Sequence, residues 1–422
     1  MHPIDHGWDT SDLKRRLCHA LDIAQQAVER LASTGYSDPE EPANLIRGEK
    51  VIAETALFLY ASSTARGHDA IKARIHDIAT LLIPHARSDR VRLAICLQPA
   101  LVWDYAQAHV LLGRLGFPDA GFDQLLKQTI KSEACLGRER TPHRMLEQDW
   151  IFDVWSQSPA PRRQRSRATA IHSILNHPMD LWSGSREDVY AFTHALMYLR
   201  DFNISPRRLP RANEAILTEA ESALARCLDQ EDYDLGGEVL LTWPLTGTYW
   251  SAAAAFGFRV LATVEDKAGF LPSPTTRLER LNRLHGSDRT DYLLATAYHT
   301  AYVMGLLCTT ALQPGRLPPS SIPIEGARRG TAREVLPFLK SNSREPHWLN
   351  EFKILNELQQ DALSSFLFAV ALRRQIRDRD FASVYRLLEI GNYHGLSSVP
   401  IAGQAAELLE RLSTVLNRHG NQ

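Results

Sequence analysis

The fold is decided by residues 292 to 315, which have the sequence YLLATAYHTAYVMGLLCTTALQPG. This stretch contains no Asp, Glu, Lys or Arg, and its composition favours one long helix. Residues 239 to 258 are uncharged in the same way. Both stretches are long enough to cross a hydrocarbon core of about 30 Å, but His299 and the Trp243-Pro244 pair argue against that. We therefore interpret both as helices buried on all sides in a large soluble protein.

Helical periodicity continues along the chain of 422 residues, and no run alternates apolar and polar residues as a half-buried strand would. The sequence thus predicts an all-α protein of repeated helical hairpins. About fifteen helices are predicted along the chain, and those over residues 91–115, 238–261 and 350–377 are among the longest. Residues 313–330, rich in Pro and Gly, form either a long loop or a domain boundary. We expect one domain over residues 1–422.

A weak internal repeat predicts how these helices are arranged. Three uncharged segments each carry a histidine, and isolated carboxylates lie in apolar helices before and between them. These polar positions recur roughly every 40 to 60 residues, an interval that fits one helical hairpin; in chain order they are Glu54, His109, Glu147, His194, Glu238 and His299. Because alternate helices are nearly uncharged, we expect an α/α toroid whose inner helices carry these positions toward a central cavity. An open solenoid is the alternative.

Four side chains are predicted to be catalytic: Tyr190, His194, Glu238 and His299. Tyr190 and His194 are four residues apart on one helix face, so the phenol can reach an imidazole that titrates near neutral pH. The alternative for His194 is a buried structural histidine. Glu238 opens an apolar stretch, so burial would raise its pKa toward that of a general acid. Its alternative is a helix N-terminal acid held by free amides.

The predicted substrate contacts are mostly aromatic: Trp103, His109, Trp243, Trp250 and Tyr302. Such walls suit a small apolar or peptide-derived substrate. His109, His194 and His299 could together hold a metal, but no His-x-x-x-His or His-Glu-x-x-His spacing supports this. No metal and no other cofactor is therefore predicted.

Two charged runs are interpreted as loops rather than as binding sites. Residues 229–234 contain four carboxylates, and a solvated loop is favoured there over a metal site. Residues 161–167 are basic without interleaved aromatic side chains, which is typical of a charged loop. The balance of 48 Lys and Arg against 49 Asp and Glu argues against nucleic acid or anionic lipid as a partner.

The five cysteines are scattered and include no Cys-x-x-Cys pair, so neither a disulfide framework nor a zinc knuckle is expected. The first residues carry an early acid and no apolar segment, which argues against a secretory signal. We expect a cytoplasmic protein that does not enter the membrane. Walker, Gly-x-Gly-x-x-Gly and Gly-x-Ser-x-Gly motifs are absent, which excludes the common nucleotide-dependent and hydrolase classes.

Four segments resemble an uncharacterised all-helical family of actinobacterial type: residues 140–150, 188–196, 240–244 and 298–307. The resemblance covers roughly residues 90 to 316 and implies one continuous domain, but it implies no activity. Such families often lie in specialised-metabolite gene clusters, which implies a tailoring enzyme by association alone.

The leading hypothesis is an enzyme of specialised metabolism that performs an acid–base isomerisation, cyclisation or lyase reaction in an aromatic-lined cavity. One alternative is a non-enzymatic helical-repeat module that binds a peptide or protein partner. Another is a metal-dependent enzyme with a His-based site. The leading hypothesis requires His194, Glu238 and His299 to converge on one cavity.

Overall fold

The computed structural model describes residues 8–32, 35–36, 46–65, 69–156, 169–339 and 345–419. Helices dominate these ranges, and their one extended contact is an isolated antiparallel bridge between Tyr36 and Ile46. The prediction of an all-α protein is confirmed. No helix within the described ranges is long and apolar enough to span a membrane. The basic run at residues 161–167 lies outside them.

The α-helices of the described ranges are numbered in chain order. They are α1 (Thr10–Glu29), α2 (Gly48–Ser62), α3 (Asp69–Ala86), α4 (Asp89–Leu97), α5 (Val102–Arg114), α6 (Ala120–Thr129), α7 (Pro142–Ser156), α8 (Arg186–Arg200), α9 (Asn213–Asp229), α10 (Tyr233–Leu240), α11 (Thr242–Thr246), α12 (Ala252–Ala268), α13 (Leu278–Leu281), α14 (Gly286–Ala311), α15 (Thr331–Val335), α16 (His347–Lys353), α17 (Glu357–Ala362), α18 (Ser364–Arg377), α19 (Phe381–Tyr393) and α20 (Pro400–His419).

Three of the stretches that were predicted as single helices are interrupted: residues 91–115, 238–261 and 350–377. The first is broken before Pro99, because a proline disfavours helical backbone in the residue that precedes it. The second is broken at Gly247, whose left-handed φ of 72° ends α11. The third is broken where Asn356 caps α17 through a reciprocal capping box. The prediction of continuous helices was wrong at these places, because a proline, a left-handed glycine and a capping box each outweigh a continuing apolar pattern.

Six helices, which we call the first layer, pack on one another in succession. The contacts run from α2 to α5, α7, α8, α10 and α14, and α14 also packs on α2. From Tyr292 onward, residues on all sides of α14 are buried, as the uncharged sequence of that part predicts. A second layer covers the first: α1 packs on α14, α3 on α2, and both α9 and α12 on α10.

Two glycines allow the first-layer helices to approach closely. A Cβ atom on Gly237 of α10 would lie 2.6 Å from a methyl carbon of Val303 on α14. A Cβ atom on Gly305 of α14 would lie 2.5 Å from the Phe58 ring on α2. Interiors are packed too densely to absorb such overlaps without movement, so each crossing depends on its glycine.

The helices after residue 330 pack on the second layer. α18 lies against α9, and α16 lies against α12. Arg374 of α18 makes a two-pronged ion pair with Asp229 at the end of α9, with N–O distances of 2.5 and 3.1 Å. Both side chains are buried, and removing one partner of such a pair is strongly destabilising. Residues 313–330 thus connect parts that share a buried contact, and one domain over residues 1–422 stays a prediction.

Candidate active site

All six first-layer helices contribute side chains to one cavity of about 460 Å³. A cavity of this size suits a small molecule. Five of the six polar repeat positions line it: Glu54 from α2, Glu147 from α7, His194 from α8, Glu238 from α10 and His299 from α14. From α5, the cavity is lined by Asp104, Tyr105 and Gln107. The convergence that the leading hypothesis requires of His194, Glu238 and His299 is therefore present.

His109, the sixth position, is not among the described residues that line the cavity. Its Nδ1 accepts a hydrogen bond from Arg87 at 3.1 Å, and its Nε2 donates to Asp123 at 3.1 Å. The ring stacks on Phe122 with the centroids 4.1 Å apart. Burial lowers the pKa of His109, which favours the neutral ring. The structure therefore does not bring the three histidines together as a metal site, and His109 is held as a buried structural residue.

His299 lies among three carboxylates. Its Nδ1 is 3.1 Å from Oε2 of Glu54. Its Nε2 is 3.4 Å from Oδ1 of Asp234 and 3.6 Å from Oε1 of Glu238. Burial alone would lower the pKa of His299, but the neighbouring charges of Glu54 and Asp234 raise it well above its ordinary value. The His299 imidazole therefore carries a positive charge at neutral pH.

Glu54 is held in its ionised form by three neighbours. Tyr298 donates its hydroxyl proton to Oε2 at 2.6 Å, and the ammonium of Lys50 lies 3.6 Å from Oε1. Burial alone would raise the pKa of Glu54, but His299 and these neighbours lower it to about 2. Sequence reasoning placed Glu54 on the repeat without giving it a role in the site.

Glu238 connects the two cavity histidines. Its Oε2 accepts a hydrogen bond from Thr193 at 2.5 Å and lies 3.4 Å from Nδ1 of His194, while Oε1 faces His299. The side chain is only 3% exposed. Burial alone would raise the pKa of Glu238, but His194 and His299 lower it below its ordinary value. The expectation of a raised pKa was wrong, because two imidazoles outweigh the loss of water, and Glu238 is a carboxylate.

The acidic run at residues 229–234 is not a solvated loop. Asp232 caps α10 by accepting a hydrogen bond from the amide of Leu235, so Asp234 already lies on the helix. Asp234 is four residues before Glu238 and shares its helix face. Its second oxygen, Oδ2, accepts a hydrogen bond from Arg186 at 2.9 Å. Glu238 consequently lies near the end of α10 and is not a helix N-terminal acid.

His194 has one ring nitrogen fixed by the backbone. Its Nδ1 lies 3.1 Å from the carbonyl oxygen of Tyr190, an atom that only accepts hydrogen bonds. When the ring is neutral, Nδ1 therefore carries the proton and Nε2 the lone pair. No hydrogen bond within the described residues reaches Nε2, and His194 lines the cavity.

The Tyr190 phenol and the His194 imidazole meet by stacking rather than by a hydrogen bond. The ring centroids are 3.7 Å apart and the planes are inclined by 29°. Burial raises the pKa of Tyr190, so the phenol stays protonated near neutral pH. The predicted proton path from phenol to imidazole is replaced by a contact that fixes the orientation of the imidazole ring.

α7 supplies an ion pair to another part of the wall. Glu147 accepts a hydrogen bond from the Tyr198 hydroxyl at 2.7 Å and pairs with Arg144 at 2.7 Å. The guanidinium of Arg144 lies over the ring of Tyr190, 6.0 Å from its centroid. Ionised groups on this wall are thus already paired within the protein.

Only part of the predicted aromatic wall lies at the cavity. Tyr190 and Tyr302 line it, and the hydroxyl of Tyr302 is hydrogen-bonded to Thr55 at 2.9 Å. The described lining does not include Trp103, Trp243 or Trp250. Trp243 and Trp250 stack on each other 6.4 Å apart, and Trp103 packs edge-on against α7. These large rings fill the space between helices, as most buried aromatic side chains do.

Comparison with known proteins adds one match. Residues 17–309 match a family described as a domain of unknown function, DUF6895. The chain belongs to this family. The matched range contains every cavity residue named above and confirms the resemblance to an uncharacterised family. No curated protein and no solved structure matches this DUF6895 member.

Proposed function

We propose that this DUF6895 member is an enzyme that moves a proton on a small molecule in the cavity, with Nε2 of His194 as the general base. One observation carries the proposal: the Tyr190 carbonyl fixes the proton on Nδ1, and the lone pair on Nε2 is left without a protein partner among the described residues. A general base needs this arrangement, because its accepting nitrogen must reach the substrate proton. Base-initiated isomerisation, cyclisation and lyase reactions begin with such a transfer.

Glu238 and His299 can each stabilise a charge that develops during the proposed proton transfer. When His194 accepts a proton it becomes an imidazolium, and the carboxylate of Glu238, 3.4 Å from Nδ1, stabilises that charge. His299 supplies a positive charge at the cavity wall, where it can stabilise negative charge that develops on the substrate. Glu238 is thus a positioning residue, and His194 is the catalytic residue.

The substrate that fits this wall carries polar groups of its own. Glu54, Glu147 and Glu238 line the cavity together with Lys50 and Arg144. An apolar ligand would strip water from these ionised groups without replacing its hydrogen bonds, which is costly. We therefore propose a small polar substrate in place of the apolar one expected from the sequence, and a peptide-derived substrate remains within this class.

We also propose that the first layer closes into an α/α toroid around the cavity. The succession of packed helices from α2 to α14, with α14 against α2, supports closure. So does the repeat, which brings polar positions from α2, α7, α8, α10 and α14 to one cavity. We further propose a cytoplasmic enzyme of specialised metabolism; the five free cysteines suit the reducing compartment.

Solvent exchange tests the proposed proton transfer even when the product has not been identified. The protein is incubated in D₂O with a library of small polar metabolites, and each compound is followed by mass spectrometry and NMR. We expect at least one compound to be converted, or to gain deuterium at an acidic C–H position. The activity should be lost in His194→Gln and retained in His172→Gln, a matched change at an exposed histidine. Exchange that persists in His194→Gln, or none with the unmodified protein, contradicts the proposal.

A further inference from the structure

We infer that Asp234, Glu238 and His299 bind a divalent first-row transition-metal ion such as Zn²⁺ at the cavity wall. The inference goes beyond the proposed proton transfer and does not depend on it, since His194 can act as a base with or without the ion. It rests on the geometry of three ligand atoms and on the groups that hold them.

The three side chains bring their ligand atoms close enough together to share one ion. One ligand atom from each residue lies within 4.8 Å of the other two. Nε2 of His299 is 3.4 Å from Oδ1 of Asp234 and 3.6 Å from Oε1 of Glu238. In a tetrahedral zinc site with bonds of about 2.0–2.2 Å, neighbouring ligand atoms lie about 3.3–3.6 Å apart. Both separations from Nε2 of His299 therefore match those of a tetrahedral site.

The surroundings of Oδ1 of Asp234 independently indicate that this oxygen binds a cation. The atom is shielded from solvent and accepts no hydrogen bond from the described residues. Buried carboxylate oxygens are normally satisfied, because leaving one without a partner is costly. Nε2 of His299 lies 3.4 Å from this oxygen, beyond the length of a good hydrogen bond. A bound cation would complete the coordination of this oxygen.

Each of the three ligands is also oriented through an atom that does not face the proposed ion. Glu54 holds Nδ1 of His299 at 3.1 Å. Arg186 donates to Oδ2 of Asp234 at 2.9 Å, and Thr193 donates to Oε2 of Glu238 at 2.5 Å. Metal-binding side chains in proteins are commonly fixed in this way by outer partners, which set the tautomer of the histidine and the direction of each carboxylate.

The types of ligand indicate which ion the site would bind, and the free coordination position indicates what the ion would do. One imidazole and two carboxylates suit Zn²⁺, Mn²⁺ or Fe²⁺ better than Ca²⁺, which prefers six or more oxygens. Three protein ligands leave at least one position free, as in catalytic rather than structural sites. Because Glu238 and His299 line the cavity, that position is open to a substrate oxygen or a water molecule. When the ion is bound, it supplies the positive charge that the His299 proton supplies without it.

Cobalt and zinc titrations of the full chain, first freed of metal with a chelator, test the inference. Co²⁺ gives a visible spectrum that reports a tetrahedral environment, and it shows a thiolate charge-transfer band only where cysteine binds. We expect one Co²⁺ per chain with tetrahedral absorption and no thiolate band, and displacement of Co²⁺ by one equivalent of Zn²⁺. Absence of a one-to-one complex, or a thiolate band from the free cysteines, overturns the inference.

Matched variants assign the site. Asp234→Asn and His299→Gln should each weaken Zn²⁺ binding at least 100-fold in calorimetry, and Glu54→Gln should weaken it about 10- to 100-fold through loss of the outer partner. Glu49→Gln changes another cavity-lining carboxylate, which pairs with Arg90 and is not one of the three proposed ligands, so it should leave binding unchanged. Circular dichroism confirms that each variant is folded. Unweakened binding in folded Asp234→Asn overturns the inference whatever the outcome of the exchange assay.

Discussion

Replacing Glu54 with glutamine removes one charge from the cluster around His299 and keeps an oxygen that can accept the hydrogen bond of Tyr298. The expected effect follows from the pKa of Glu54, which falls from an ordinary 4.5 to about 2 in the folded protein. A difference of about 2.5 pKa units corresponds to about 3 kcal/mol of unfolding free energy. The side chain is 20% exposed, so solvent screens this interaction only partly.

The pH dependence has a defined direction. A carboxylate whose pKa is lowered by folding stabilises the protein fully above its unfolded pKa, and this contribution disappears as the pH falls through the folded value. The difference between the original protein and Glu54→Gln should therefore be about 3 kcal/mol at pH 6 and should shrink toward zero as the pH approaches 2.

Urea unfolding in the presence of a chelator measures this difference at a series of pH values. The chelator removes any contribution of a bound ion. Glu49→Gln is the control, because Glu49 lies on the same helix and pairs with Arg90, which is 61% exposed. Such a surface pair contributes at most about 1 kcal/mol. Equal destabilisation by both substitutions at pH 6, or a Glu54→Gln effect that does not change between pH 6 and pH 3, would refute the reasoning.

Three further predictions follow from other parts of the structure. Gly237→Ala should lower the unfolding free energy by about 1–3 kcal/mol, since its methyl group would meet Val303; unchanged urea unfolding contradicts the close crossing of α10 and α14. Burial lowers the pKa of His143 to about 4, so stability should fall as the pH drops from about 6.5 to 4, and His143→Gln should flatten that decline. His109→Gln should lower the melting temperature and leave the deuterium-exchange activity per folded molecule unchanged; loss of exchange would place His109 in the site.

The repeat in the sequence located most of the cavity. Polar residues inside uncharged helices are costly unless they meet partners or a polar cavity, so their regular recurrence marks the faces that converge. This physical reason holds for Glu54, Glu147, His194, Glu238 and His299, all of which line the cavity. Closure of the helices into a toroid stays a prediction.

The repeat failed for His109, and the prediction of an aromatic wall failed for the tryptophans, because sequence predicts a helix and not the direction of every side chain on it. His109 is held by Asp123 from a neighbouring helix and by Arg87, which are partners that local sequence does not reveal. Trp243 and Trp250 are large enough to fill the space between layers, and burial there gains more than exposure at a polar wall.

The cluster of Asp234, Glu238 and His299 was not predicted, for a related reason. The acidic run was interpreted as a loop because four carboxylates in six residues are usually solvated, whereas Asp232 starts α10 and brings Asp234 onto the face of Glu238. The available signal was the spacing of four residues between two carboxylates. The pKa of Glu238 depends on His194 and His299, whose distances exist only in the folded chain.

The protonation of His194 is the most direct test of the proposed function. Side-chain ¹⁵N NMR of the protein near neutral pH distinguishes a protonated ring nitrogen from one with a free lone pair, and His194→Gln identifies the resonances. In the neutral form of the ring, we predict the proton on Nδ1, where it donates to the Tyr190 carbonyl, and a lone pair on Nε2. A neutral ring with its proton on Nε2 would contradict the assignment of His194 as the base.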